Sequence, residues 1–308
     1  MTFGTGDTAL PATGAQHRLE RGNAAAVVAS LGGGLRSYTV GGTQLVETYP
    51  DESIPPSAAG ILLAPWANRI AGARWELDGQ EQQLDITEPK LQNAIHGLLR
   101  NTGYTAAEST ADSVLLTAEI FPQHGYPFHL VHSVRYSLDS DGGLRVRQSL
   151  ANVGARKAPF ALGAHPFLRL GDVPSEELTL RVDAAARLTT DASLIPTGRV
   201  PADGAENLSA GQRVGGLDLD AAFTDLTARE GLFRHQLTAP DGRSVQLWAE
   251  QEFSYVHVFV TDKLPGRSCA VALEPMTAPA NCFNSGDGLR WLEPGEEFSA
   301  EWGILAVL

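Results

Sequence analysis

The stretch FHLVHSVRYSLDSDGGLRVRQSL, residues 128–150, decides the fold class of this 308-residue chain. Its first half alternates apolar and polar residues, the segment Asp139-Ser140-Asp141-Gly142-Gly143 is built of turn formers, and LRVRQSL resumes the alternation. Successive side chains of a strand point to opposite faces, so the pattern predicts two half-buried strands joined as a hairpin. The same grammar recurs outward in both directions. LRSYTV and TQLVE flank Gly41-Gly42, RWEL and QEQQLDI flank Asp78-Gly79, and FRHQLTA meets RSVQLWAE across Pro240-Asp241-Gly242. Such turn pairs tolerate the positive φ that tight hairpins need. No apolar stripe of helical period lasts beyond about two turns, and 32 glycines with 18 prolines are spread along the chain rather than gathered into a linker. The expectation is an all-β fold, a large antiparallel β-sandwich. It occupies residues 16–308 as a single domain, with residues 1–15 as a flexible N-terminal arm.

Composition narrows the function. The 23 basic and 36 acidic residues give a net charge of -13, which repels polyanions, so no nucleic acid partner is expected. Two cysteines, Cys269 and Cys282, are too few for a disulfide framework in a chain this large and read as reduced thiols. The opening MTFGTGDTALPATGAQHRLE has neither the basic nor the apolar region of a signal peptide, and no apolar run reaches membrane-spanning length. A cytoplasmic protein with no membrane partner is expected.

Titratable residues beside apolar runs carry the chemical information. In CAVALEPMTAPANCFNSGDGL, residues 269–289, a strand-like run ends on one carboxylate, Glu274, followed by a Pro/Ala/Asn turn and without a basic neighbour. A buried carboxylate is costly unless paired or hydrogen-bonded, so Glu274 is either the ion-pair partner of a residue distant in sequence or a base in a pocket. LLAPWANRIAG sets Asn68 and Arg69 behind an apolar strand, where a guanidinium either ties down loop carbonyls or is aimed at ligand hydroxyls. His96, in NAIHGLLRN, is a satisfied core histidine or a working group that Gly97 lets a ligand approach. His165, in PFALGAHPFLRL, has no other titratable group before Arg169. Burial lowers such an imidazole's pKa and a carboxylate raises it, so His165 is either structural or tuned to transfer a proton near neutral pH. Asp218, Asp220 and Asp225 in GGLDLDAAFTDL read as solvated loop carboxylates. His129 and His132 fall on opposite faces of a strand, and the two cysteines lack a second pair or a His motif, so no metal site is expected. There is no G-x-S-x-G, no P-loop and no G-x-G-x-x-G opening a helix, which removes serine hydrolase and nucleotide-binding readings.

Taken together, LAPWANRI, NAIHGL, GAHPF, LDAAF and LEPMTAPANCFNSGDGLRWLEPGEEF, in that order between about Asn23 and the C-terminus, resemble the aldose 1-epimerase (galactose mutarotase-like) family. LLAPWANRI and NAIHGLLR are similar to a bacterial subgroup of it. The resemblance implies the galactose mutarotase-like supersandwich and an isomerase that interconverts the α and β anomers of a free hexose or related aldose. Ring opening and closure would proceed by general acid/base catalysis with no cofactor. By likeness Glu274 is the base and His165 the acid, while Asn68, Arg69, His96 and Asp220 hold hydroxyls and the ring oxygen. A small-molecule sugar is the implied partner, and the chain is expected as a monomer or homodimer.

Two departures from the best-known members bear on the choice of sugar. Where they carry an acid-Thr-Gln string this chain has LEPMT, and the strand that supplies them a sugar-binding glutamine reads SYVHVFV, with His257 as the nearest match. The substrate class stays open among neutral, deoxy and acidic sugars; a phosphate is not expected, since no extra arginine cluster would receive it. Two other readings remain. One is a glycoside hydrolase using Glu274 and Asp220 as a carboxylate pair, which would need an open cleft with no histidine between them. The other is a non-catalytic carbohydrate-binding protein on the same fold.

Overall fold

The computed structural model describes residues 10–308. A nine-stranded antiparallel sheet runs in the order Thr105–Ser109, Ser113–Ile120, Leu130–Leu138, Leu144–Asn152, Glu297–Val307, Ser244–Glu250, Leu232–Thr238, Thr179–Val182 and Gln212–Arg213. The second sheet runs Pro196–Pro201, Ala184–Thr190, Asp220–Leu226, Tyr255–Thr261, Ala270–Met276, Gly163–Ala164 and Leu62–Leu63, and Phe167–Leu168 also pairs with Ala270–Met276. A smaller meander, Gln16–Arg21 to Thr43–Gln44, lies N-terminal to both. All four expected hairpins are present: Val40 pairs Thr43, Leu77 pairs Gln80, Leu138 pairs Leu144 and Thr238 pairs Ser244.

The alternation does the work the sequence assigns to it. In Leu130–Leu138 every second residue is buried, and Leu130, Val134, Tyr136 and Leu138 enter one apolar core with Val256, Val258, Val271 and Leu273 of the second sheet. Each fully buried Leu or Val contributes about 1.5–3 kcal/mol relative to exposure, which makes this shared core the main stabilising layer of a sandwich. Among the described residues the α-helix is a single turn, Cys282–Ser285, and no helix is long and apolar enough to cross a membrane. Cys269 and Cys282 are both free. Within the expected N-terminal arm, residues 1–9 lie outside the described residues. Beyond them Thr13 is buried, Ala12 N–H donates to the Asp51 carbonyl at 2.7 Å, and Leu31 N–H donates to the Thr13 carbonyl at 3.0 Å.

Ala270–Met276 is buried along its whole length, the mark of a strand covered on both faces. Its odd-numbered Val271 and Leu273 point into the inter-sheet core, while Ala270, Ala272 and Met276 join smaller clusters on the other face. Glu274 shares the even parity and so faces away from the main core. It also sits within the strand rather than at its end, a correction to the sequence reading. On the neighbouring strand Val256 and Val258 go inward, which turns His257 outward beside Glu274.

Loops roof this outer face. Arg69–Ile70 pairs with Ala94–Ile95 and Ala64 bridges to Gly97. Asn68 and His96 both have left-handed backbones, with φ of 54° and 66°, and His96 N–H donates to the Asn68 carbonyl at 2.8 Å. Gly97 follows at φ +74°, and a Cβ there would lie 2.0 Å from the Ala64 carbonyl oxygen. Only glycine fits this approach. Gly97→Ala is therefore expected to destabilise the protein by about 2–4 kcal/mol, combining overpacking with left-handed strain. Urea denaturation measures this, and an unchanged midpoint would refute the close approach.

Candidate active site

The roofed face of the second sheet forms an open cavity of about 480 Å³, and Asn68, Arg69, His96, His165, Asp220 and Glu274, the six residues singled out from sequence, all line it. Strand register explains the convergence. Asp220 pairs Phe259 and Ala222 pairs His257, so Asp220 stands one diagonal step from His257 on the same face. His257 lies directly across from Glu274. Gly163 pairs Met276 and Phe167 pairs Ala272, which leaves His165 opposite Glu274 on its other side. A row of carboxylate, imidazole, carboxylate, imidazole thus crosses neighbouring segments of the sheet.

The centre of the row is dry. Glu274 is 2% exposed and His165 4%, and His165 Nε2 lies 3.3 Å from Glu274 Oε1. The distant-in-sequence partner expected for Glu274 is this imidazole. His165 is fixed by its main chain: its N–H donates to the Ile61 carbonyl at 3.0 Å and its carbonyl accepts from Gly60 N–H at 2.8 Å. Its ring stacks on Phe167 and meets His96 edge-on, with centroids 5.2 Å away in each case. Glu274 Oε2, His165 Nδ1 and His96 Nδ1 are buried without a protein partner among the described residues. Each such atom costs about 1–3 kcal/mol, an expense the fold bears where a polar ligand can satisfy it.

Burial disfavours charge on His165 and lowers its pKa, with Glu274 offsetting part of the fall. Burial also draws His96 well down, reinforced by His165 and two arginines. His257 behaves differently. Burial pulls it down, but Glu274 and the hydrogen bond to Asp220 more than offset this and hold it above its ordinary value. Its Nε2 lies 2.7 Å from Asp220 Oδ1. For Asp220 burial acts upward, yet the His257 hydrogen bond and charge leave its carboxyl below the usual range.

Several residues differ from the sequence reading. Asp220 is the half-buried first residue of the strand Asp220–Leu226 rather than a solvated loop carboxylate. Arg69 does not tie down loop carbonyls: its Nε and Nη2 donate to both carboxylate oxygens of Glu88 at 2.9 and 3.0 Å, and Nη1 donates to Asn68 Oδ1 at 3.3 Å. Asn93 Nδ2 also donates to Glu88 Oε2, at 3.1 Å, and to the Ser193 carbonyl at 3.0 Å. Glu88 escaped the sequence reading, because nothing in DITEPKLQN sets it apart from a surface acid. Arg100 escaped it too; it lines the cavity, with Nη1 on the Ile95 carbonyl at 3.3 Å and Nε lacking a protein partner. Away from the site, His132 is buried against the Tyr104 hydroxyl, whereas His129 pairs with Glu119 near the surface. Among the described residues no cluster of three or more His, Cys, Asp or Glu side chains is arranged to hold a metal ion.

Three carboxylates and three imidazoles around one small cavity, with Glu274 and His165 buried in its floor, suit proton exchange with a polar ligand. Comparison with known proteins gives this site a context. The family model for aldose 1-epimerase matches residues 15–304. The Escherichia coli protein YihR, described as uncharacterized, is 35% identical over 291 residues, covering 94% of this chain and 92% of its own length. Galactose mutarotase of Rattus norvegicus is 32% identical over 164 residues, 47% of this chain and 43% of that protein. The crystal structure of a galactose mutarotase-like protein from Clostridium acetobutylicum matches with a TM-score of 0.84 over 94% of both chains at 18% identity, which shows a common fold.

The Arg69–Glu88 pair is largely shielded, so each partner depends on the other. Glu88→Ala is expected to destabilise by about 2–4 kcal/mol, because it strands a buried guanidinium. The Arg69→Ala/Glu88→Ala double variant should recover about 1–3 kcal/mol of the summed single losses. Urea titrations of the three variants measure the coupling, and simple additivity would count against it.

Proposed function

The chain belongs to the aldose 1-epimerase family, and we propose that it is a mutarotase, a cofactor-independent isomerase that interconverts the α and β anomers of a free hexose or related aldose in the cytoplasm. One observation carries the reading: His165 and Glu274 stand side by side, 3.3 Å apart, both buried in the floor of a single open cavity. The hydroxyl oxygen at C1 and the ring oxygen of a pyranose are bonded to the same carbon. An acid and a base serving both must therefore be neighbours, and this pair has that spacing.

In the proposed reaction Glu274 removes the C1 hydroxyl proton as a protonated His165 gives its proton to the ring oxygen. The bond between C1 and the ring oxygen breaks, leaving an open-chain aldehyde. Rotation about C1–C2 presents the other face of the carbonyl. The C5 hydroxyl then attacks C1, its proton returns to His165, and Glu274 hands its proton back to the carbonyl oxygen. Protons balance over the cycle, so no external donor is needed. Both groups alternate between charged and neutral forms, which favours pKa values near neutrality. For His165, burial lowers the pKa and the Glu274 charge opposes the fall. Asn68, Arg69, His96 and Asp220 would hold hydroxyls, with Arg69 pre-aimed by its two bonds to Glu88. The glycoside hydrolase reading loses support because His257 stands between Asp220 and Glu274.

Freshly dissolved α-anomers of neutral, deoxy and acidic hexoses, followed by polarimetry or NMR, test the proposal. Accelerated approach to anomeric equilibrium with the sugar otherwise intact is expected for at least one of them, and its absence throughout would leave a non-catalytic sugar-binding protein. Glu274→Gln and His165→Asn should each lower the rate by about a hundredfold or more with little loss of stability. Near-normal turnover in either variant would remove that assignment. Arg69→Ala and Asp220→Asn should act mainly on KM.

A further inference from the structure

His257 is the member of the row to which the acid/base cycle assigns no task. It is buried, its Nε2 lies 2.7 Å from Asp220 Oδ1, and it stands directly across the strand pair from Glu274. The charged and titratable groups around it come from every side: Asp220 from one neighbouring strand, Glu274 from the other, and Arg69, His96 and His165 from the segments that roof and flank the row. Two carboxylates lining one cavity, Glu274 buried and Asp220 half-buried, repel each other and gain from a positive charge between them. Arg69 supplies part of it to Asp220, but its Nε and Nη2 are committed to Glu88 and it does not stand between the two carboxylates. His257 occupies the required place.

We propose that His257 is a positioning residue: its protonated ring holds the carboxylates of Asp220 and Glu274 charged and in register for the reaction, and loss of that proton switches the site off. The proposal rests on the mutarotase reading for the reaction it serves, while the charge pairing itself stands on the geometry. Once His257 is neutral, the two carboxylates lose the counter-charge that stands between them, and a proton is drawn onto the carboxylate pair. A base that already carries a proton cannot take another from the sugar. The raised pKa of His257 sets the sign. The folded site holds this proton more tightly than the unfolded chain does, so the pairing is complete below the ordinary histidine range and is lost as pH rises through the higher folded value.

The test is the pH profile of kcat/KM for anomerisation of α-D-glucose, or of the best sugar in the panel above, together with ¹⁵N NMR of the histidine rings. In the wild-type protein activity should fall with rising pH in two stages, one following loss of the His165 proton and one coinciding with the titration of His257, above the ordinary value of about 6.5. His257→Gln keeps a hydrogen-bond donor but cannot take a charge; it should lose about tenfold or more in kcat/KM at neutral pH and lose the His257 stage, keeping the stage due to His165. Asp220→Asn should move the His257 stage and the His257 titration to lower pH. A merely structural role would lower activity at every pH and leave both stages in place, and that result in His257→Gln would overturn the proposal. So would a His257 ring that titrates below about pH 6. A wild-type protein that accelerates no sugar would overturn the mutarotase reading instead, because the His257 titration and its movement in Asp220→Asn are read without turnover.

Discussion

The two-residue period of a β-strand governs this molecule twice over. Along Ala270–Met276 it sends Val271 and Leu273 into the core between the sheets and turns Glu274 to the opposite side. A slip of one residue would carry the carboxylate in among Val256 and Val258 and push leucine into the cavity. Burying an uncompensated charge costs several kcal/mol, in a protein whose whole stability is of the order of 5–15. Register, core and site therefore stand or fall together. The same parity brings Asp220 and His257 onto the face of Glu274, so three of the row's four members need no loop to place them.

The roof obeys a different constraint. Asn68 and His96 sit in left-handed backbone, which side chains other than glycine adopt at a cost of about 1–3 kcal/mol. That strain is held by the short pairing of Arg69–Ile70 with Ala94–Ile95 and by the close packing of Gly97 on Ala64. Together with the unpartnered atoms of Glu274, His165 and His96, it places strain and open hydrogen-bonding groups around the cavity, where a polar ligand would recover hydrogen bonds the protein leaves open.

Much of this was legible in the sequence, and what was not has identifiable causes. The hairpins could be read because turn residues and alternation are local signals, and each of the four has the expected pairing. Glu274, His165, His96, Asn68 and Arg69 stood out because polar groups in apolar strings violate the surrounding pattern. Glu274 was misplaced at a strand end because Pro275 reads as a strand breaker; here Pro275 pairs with Val256 within the sheet. Asp220 looked like a loop acid because two glycines and a second Asp precede it, yet Ala221, Ala222 and Phe223 carry the strand onward from it. Glu88 and Arg100 gave no signal, since their importance arises only from where the folded chain sets them. The raised proton affinity of His257 was equally hidden, because it depends on two carboxylates from adjoining strands.

Glu88 also has a reach beyond its guanidinium. Asn93 grips the same carboxylate and, through its amide, the Ser193 carbonyl in the turn that joins Ala184–Thr190 to Pro196–Pro201. The aim of Arg69 is thereby tethered to a peripheral hairpin that does not line the cavity. A substitution in that turn therefore has a mechanical route to the orientation of Arg69 without changing any residue that lines the cavity.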